Sequence, residues 1–442
     1  MRFFGLIAML AVTVTIAAAS GRTQLASGQA APPDVAVTHW SQIAAAPLTA
    51  PAVGAAPGIT GMAMVHGAIY DAVNAIDGGH QPYLPQPHAS PTASLDAAVA
   101  AAAYNVLIGL PATVPTLTLP GTLAGDYAAA LALVPNGQAK TDGIAAGEAA
   151  AATMLAARAH DGRFGAFRFT AGSSVGQWRP EVPAFASDPN AWLKDVTPFA
   201  IADPAHYGSQ GPNDLTSKKY ADDFNEVKAL GRKTESSRTT DQTDLANFWA
   251  VNPPRLWSGI ARTLATQQQL STVDAARYYA LAFMSASDTL ISVWVDKARW
   301  SSWRPVTAIH EAANDGNPDT SPDAGWQPFL ATPPYPDQPS GHTSLATAIT
   351  MTAQRFFHTD KISFSATNQV LYVPGTTTPT TTITATRGFT SLSQARDEVV
   401  EARILQGIHF RRADEDGVSI GKGVTNFVNS HLFKAADDNA GD

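Results

Sequence analysis

The residues best suited to chemistry gather in the last third of the chain, in three short pieces. Lys297 is followed seven residues later by Arg304 and Pro305, the run Pro339-Ser340-Gly341-His342 stands ahead of an apolar helical pattern, and Arg403 precedes His409 by six residues. Three cationic side chains, a hydroxyl, an open glycine backbone and two imidazoles are the donors from which a pocket for a tetrahedral oxyanion is built. Each piece alone has an ordinary reading: a solvated cation, a proline-serine-glycine turn, a hydrogen-bonded structural histidine. Their conjunction is what points to a site.

The elements that must hold these residues are helices. Apolar runs over 280–284 and 290–295 predict a helix reaching Lys297, and seven residues are close to two turns, which would put Lys297 and Arg304 on one face. Two cations on one face repel unless an anion lies between them. Pro305 fits poorly inside a continuing helix, so a terminus, kink or restart is expected there. Pro339 suits a first helical position ahead of the apolar spacing of 343–357, and a helix N-terminus offers free N–H groups and partial positive charge to an anion. Arg403 and His409, roughly 120° apart on an unbroken helix, can serve one ligand only if the helix loosens near Gly407.

Taken in order, Lys297, six residues, Arg304-Pro305; Pro339-Ser340-Gly341-His342; Arg403, five residues, His409 resembles the three-part signature of the superfamily joining type 2 phosphatidic acid phosphatases, bacterial acid phosphatases and vanadium-dependent haloperoxidases. The resemblance covers 58–433 and is strongest to the exported bacterial branch that is haloperoxidase-like, through Trp303-Arg304-Pro305, Tyr335-Pro336-Asp337-Gln338 with the motif that follows, and Gly407-Ile408-His409-Phe410-Arg411. It implies an all-α fold of two helical bundles packed side by side, of the vanadium chloroperoxidase kind. It implies an oxyanion held by Lys297, Arg304, Ser340, Gly341 and Arg403, with catalytic parts for His342, His409, Lys297 and Ser340.

Two chemistries share that pocket. In a haloperoxidase, vanadate is the cofactor, His409 is the ligand on vanadium, and hydrogen peroxide is used to oxidise a halide, with Ser340 and Lys297 polarising peroxide and His342 handling the proton. In a phosphatase acting on a phosphate ester, no cofactor is needed: His409 forms a phospho-histidine and His342 protonates the leaving oxygen. A protein that binds an oxyanion without turnover is a third reading. Tyr335 stands where relatives carry a Phe or His near the oxyanion and is the candidate for halide preference. Ala402 replaces the Ser usual in phosphatases, and the downstream acid falls at Asp414, one residue later than usual; both positions concern the support of His409.

Composition agrees with a helical enzyme and excludes other classes. The chain has 442 residues, is 45% hydrophobic, carries a net charge of −8 and contains no cysteine, so disulfides, thiolate metal sites and a nucleic-acid surface are not expected. Residues 1–19 read as a signal peptide and 20–34 as a flexible leader, which implies an exported protein, periplasmic or secreted, with no membrane span in the mature chain. An N-terminal helical half is expected over 35–213 and a site-bearing helical domain over 214–436; a homodimer is possible by resemblance.

Within the first half, Met62, Val65, Ile69, Val73 and Ile76 make a buried helical stripe. His66 and Asp71 on that helix are taken as structural. Residues 162–213, rich in Gly, Pro and Trp, are expected to cross between the halves and cover the site. Thr239 to Gln242 is a capping-box pattern. Asp288 is a candidate partner for one of the site arginines or a structural carboxylate, Asp296 is expected to be solvated, 375–386 to be a surface loop or hairpin, and Asp414 with its neighbours a solvated turn.

Overall fold

Caps and breakers divide the chain much as its pattern predicts. The computed structural model describes residues 35–181, 187–371 and 382–436; the signal peptide and leader assigned above lie outside them. The first helices are α1 (Ala36–Leu48), α2 (Ala55–Asp77), α3 (Leu95–Gly109), α4 (Leu123–Ala132) and α5 (Gln138–Ala157). Helix α2 ends where Gly78 takes a φ of 71°, the left-handed cap that glycine adopts without a Cβ clash. Its stripe of Met62, Val65, Ile69 and Val73 is buried. Helix α3 starts at Ser94, whose hydroxyl accepts the Ala97 N–H.

Alanine and glycine set the spacing of this half. A Cβ on Gly147 of α5 would stand 2.4 Å from the Ala98 carbonyl oxygen of α3, so the two backbones nearly touch. One stretch among the described residues, Leu95–Ala112, is long and apolar enough to cross a membrane by length and composition. It supplies α3, which packs against α2 and α5.

The second half comprises α6 (Lys218–Leu230), α7 (Thr240–Phe248), α8 (Pro253–Gln267), α9 (Thr272–Trp300), α10 (Pro305–Glu311) and α11 (Gly341–Phe357). After a hairpin of β1 (Phe364–Leu371) and β2 (Thr382–Phe389) come α12 (Leu392–Leu405) and α13 (Arg411–His431). The capping box at α7 is complete, with the Gln242 N–H donating to Thr239 Oγ1 and the Thr239 N–H to Gln242 Oε1. The antiparallel hairpin pairs Phe364 with Phe389 and Leu371 with Thr382; the expected loop or hairpin at 375–386 therefore overlaps β2, and 372–381 lie outside the described residues.

Helix α9 is the axis. Its 29 residues run roughly 43 Å, and α2, α11 and α13 all pack along it. Described parts of the connection 162–213 lie on it as well. Asp296 accepts from the Ser209 backbone N–H at 2.7 Å and from its hydroxyl at 2.5 Å, Trp294 Nε1 donates to Asp188, and the Trp178 N–H bonds Ser301. Asp296 is buried, not solvated as its sequence neighbourhood suggested, because the connecting segment covers the side of the helix that would otherwise face water.

Candidate functional site

The first two cations do not share a helix. Helix α9 stops at Trp300, Ser301 takes a φ of 42°, and Arg304 is the residue that caps α10 with a φ of −87° and ψ of 159°. The shared-face expectation fails because the helix ends three residues after Lys297. Both side chains nonetheless reach the same tyrosine, because the chain turns at Ser301. Lys297 Nζ and the Arg304 guanidinium each lie 5.0 Å from the centre of the Tyr335 ring.

Both are fully buried. Lys297 Nζ donates to the carbonyl oxygens of Pro336 at 2.6 Å and Asp337 at 2.9 Å. Burial, then the nearby Arg304 charge, holds its pKa well below the usual lysine value. Arg304 donates through Nε to the Tyr335 carbonyl and through Nη1 to the Ile408 carbonyl. Nη1 is also 3.3 Å and 3.2 Å from the two ring nitrogens of His409; in-plane lone pairs on opposite sides of an imidazole diverge, so one donor near both lies against the ring face.

The helix start carries the second set of groups. Helix α11 begins at Gly341, with Ser340 as the cap residue and Pro339 one position before it behind a cis peptide bond, so the expected first helical position of Pro339 is corrected by two residues. Ser340 makes no side-chain cap bond. Its hydroxyl therefore stays free of the local bond that serine at a helix start usually makes.

The third piece closes the pocket from α12. Arg403 lies in the last turn, Gly407 takes a φ of 76°, and His409 sits before α13, so the helix ends where the Arg403 to His409 spacing requires it. A Cβ on Gly407 would stand 2.2 Å from the Gly231 carbonyl oxygen. Arg403 Nη1 donates to Gln406 at 2.5 Å, and burial with the Arg304 charge brings its pKa to about 10. His409 Nδ1 is 2.7 Å from Asp337 Oδ1. That contact fixes the ring and leaves Nε2 as the nitrogen able to meet an anion or a metal.

Asp337 is the residue that sequence reasoning missed. It is buried, 3.4 Å from Arg304 Nη1, and burial raises its pKa to about 7 against the pull of Arg304 and Lys297. A carboxylate beside the Pro-Ser-Gly-His run was visible in the sequence, but nothing there distinguished it from a turn aspartate. The same arrangement leaves His409 with a pKa well below that of a free imidazole, first by burial and then by Arg304, Arg403 and Lys297. His342, also buried, is lowered by burial and by Arg403.

The fit to an oxyanion shows in what is left unpaired. Arg304 Nη2, Arg403 Nε and His342 Nε2 are buried side-chain atoms without a hydrogen-bond partner, and Ser340 Oγ has none but the Asp414 carboxylate beside it. Buried donors are normally satisfied, and positive charges held this deep normally have counter-ions. Two arginine N–H groups and one imidazole nitrogen lacking partners, beside the Ser340 hydroxyl and His409, match one tetrahedral oxyanion with several oxygens. These are also residues able to hold vanadate, with His409 Nε2 as the nitrogen for the metal; among the described residues no group of three or more His, Asp or Glu suits a simple metal ion.

Tyr335 and Trp294 border this polar floor and an apolar funnel above it. The cavity, of about 230 Å³, is lined at the floor by Gly341, His342 and Arg403 and above by Leu290, Trp294, Leu345, Val251, Pro253 and other apolar residues. The Tyr335 ring lies 5.3 Å from Trp294, and burial raises its pKa. Its place beside Lys297 and Arg304 keeps it in contact with the site.

Of four remaining residues, Asp288, His66 and Asp71 lie outside the site, and Asp414 lies beside Ser340 and Arg403. Asp288 is not a partner of a site arginine: its carboxylate accepts the backbone N–H groups of Phe199 at 2.6 Å, Ala200 at 2.8 Å and Ile201 at 3.1 Å, and burial raises its pKa to about 6. Its partners lie far back in the sequence, so periodicity alone could not reveal them. His66 stacks on Tyr279 and Phe283 and pairs with Ser41, while Asp71 accepts the N–H groups of Tyr83 and Leu84, both as structural groups. Asp414 is buried in the first turn of α13 and not in a solvated turn. Burial holds its pKa well above the usual carboxylate range, with the Ser340 hydroxyl acting against it.

Comparison with known proteins places this geometry. Residues 277–438 match the family described as the VCPO second helical-bundle domain. The vanadium chloroperoxidase of Curvularia inaequalis is 26% identical over 149 residues, a match covering 28% of this chain and 24% of that protein; the chain thus spans about a quarter of this curated relative in the match. A solved bacterial vanadium-dependent iodoperoxidase superposes with a TM-score of 0.71 at 22% identity, covering 91% of this chain and 96% of that one. A bacterial vanadium-dependent chloroperoxidase gives 0.66 at 15% identity in its apo form over 85% and 93% of the two chains, and 0.65 at 17% in its holo form over 91% and 97%. The described chain is mostly helical and has the fold of these haloperoxidases.

Proposed function

We propose, from the premise that residues 277–438 belong to the vanadium chloroperoxidase second-bundle family, that this chain is an exported vanadium-dependent haloperoxidase using hydrogen peroxide to oxidise a halide. The observation that carries the reading is the set of buried, unpartnered atoms on Arg304, Arg403 and His342. Lys297, Arg304, Arg403, Ser340 and the Gly341 N–H would hold the oxygens of vanadate, with His409 Nε2 as the nitrogen available to the metal. Vanadate, when bound, supplies a Lewis-acidic centre that makes peroxide an oxidant of halide.

The chain's own residues do the rest. Asp337 orients His409 through Nδ1. Burial keeps His342 neutral before an anion arrives, so its imidazole can accept a proton at the site and return it. The three cations keep negative charge stabilised in a region that excludes water. Tyr335 borders the place where a halide would approach.

A phosphatase reading has its own support in the Asp337 to His409 contact at 2.7 Å, since a carboxylate-oriented imidazole is also what a phospho-histidine route requires. The purified protein decides between them in two parallel assays. Bromination of a dione dye with peroxide and bromide that requires added orthovanadate supports the haloperoxidase. Hydrolysis of a nitrophenyl phosphate, inhibited by vanadate and without bromination, replaces it with the phosphatase. His409→Ala should abolish the activity that is found.

A further inference from the structure

The funnel above the oxyanion floor is a site of its own. We infer that it holds a small apolar organic substrate, of about the bulk of a substituted benzene ring, against the oxyanion pocket. The inference rests on the oxyanion reading of the floor and adds the class of molecule that lies over it.

Four observations carry it. First, the volume of about 230 Å³ exceeds the ~150 Å³ at which a dry apolar cavity takes up benzene. Second, among its lining residues only His342 and Arg403 are ionisable below the tyrosine, and both belong to the floor. Nothing on the walls would pair with a charged or heavily hydroxylated ligand. Third, the walls have a direction: Ala250 and Ala331 are exposed at the mouth, while Leu290, Leu345 and Ile408 are buried toward the floor.

Fourth, the wall meets the oxyanion donors without a gap. A methyl group placed on Gly341 would come within 3.0 Å of the Trp294 ring, and the indole is fixed by its Nε1 bond to Asp188 at 2.9 Å. Gly341 and Trp294 both line the funnel, so a molecule seated in it has the start of α11 at its inner end and a flat aromatic wall beside it. Aromatic rings favour such neighbours in offset or edge geometries. An apolar wall that merely admitted peroxide and halide would gain nothing from this depth or shape, since both are small and strongly hydrated.

Phenylphosphonate is a probe that spans both parts, with its anionic head for the floor and its ring for the funnel. Its affinity for the full chain is measured by calorimetry beside that of inorganic phosphate, for wild type, Val251→Trp and Ala331→Trp. Phenylphosphonate should bind at least about tenfold more tightly than phosphate, the return from burying a part of one ring. Either tryptophan, filling the funnel from a different side, should erase that difference. Phosphate binding with no gain from the ring overturns the inference and leaves the oxyanion reading standing. A gain that survives both substitutions also overturns it, since the ring would then lie elsewhere. Failure of both ligands to bind overturns the oxyanion reading, and the inference with it.

Discussion

Lys297→Met separates a lysine kept for stability from one kept for an anion. A buried lysine held as one half of an ion pair leaves an uncompensated charge when it is removed, at a cost of ~3–5 kcal/mol. Here the balance differs. Lys297 and Arg304 each stand 5.0 Å from the Tyr335 ring centre and so are separated by no more than twice that distance. Like charges at about 10 Å repel by ~1.7 kcal/mol at an effective dielectric of ~20, and more if they are closer. Desolvating an ammonium costs several kcal/mol more.

Against these stand two hydrogen bonds to the carbonyls of Pro336 and Asp337, each contributing roughly 1.5–3 kcal/mol with a charged donor. Methionine, unbranched and apolar, removes terms of both signs. The anion-free variant should lie within about 2 kcal/mol of wild type. The anion is where the loss appears: an oxyanion at a hundred times its Kd stabilises the wild type by ~2.7 kcal/mol, which for about 400 residues is a rise of ~3 °C in Tm. Losing one charge-assisted contact weakens binding about tenfold or more, so the shift at the same concentration should fall below about 2 °C. Thermal unfolding with and without orthovanadate, and with sulfate as a second oxyanion, measures both terms. A variant that loses more than about 4 kcal/mol yet keeps the full anion shift would refute the reasoning.

Sulfate, a dianion across the range, should bind more weakly as pH rises from about 5 to 8 and take up protons on binding, because burial and neighbouring cations depress His342 and His409 and a bound anion reverses this; calorimetry in buffers of different ionisation enthalpy counts the protons. Gly407→Ala should cost at least ~2 kcal/mol and weaken sulfate binding, since its Cβ meets the Gly231 carbonyl at 2.2 Å at a φ of 76° and His409 is two residues on; denaturant melts and the same titration check both. Asp288 has a pKa near 6 against 3.8 unfolded, so its favourable neutral form is present below 3.8 and its contribution is lost as pH rises through about 6. Stability of the wild type relative to Asp288→Asn should accordingly fall by ~3 kcal/mol over that window, read from urea melts at several pH values, with sulfate affinity little changed.

The sequence displayed the groups of the site better than their geometry. Helices α2, α7, α9 and α11 follow from apolar spacing and caps near in sequence, and the three motifs bring Lys297, Arg304, Ser340, His342, Arg403 and His409 forward by type and order. The turn at Ser301 was hidden, because a serine in a left-handed conformation leaves no mark on periodicity. So was Asp337, whose meaning depends on a histidine 72 positions later, and so were the partners of Asp288 and Asp296, which lie in a segment without regular structure. Buried carboxylates that accept backbone N–H groups look, in sequence, like any others on a helix.

Those two carboxylates also bear on how the chain can be cut. Asp288 and Asp296, eight residues apart on α9, grip the connection at Phe199, Ala200, Ile201 and Ser209, like two staples through one strap. A fragment beginning at residue 214 would keep every oxyanion donor but strip both acids of their partners and open the flank of α9 beside Lys297. The motif-bearing half is therefore not a self-sufficient piece of this protein: the segment least like a motif supplies the partners of two buried acids on the helix that carries Lys297.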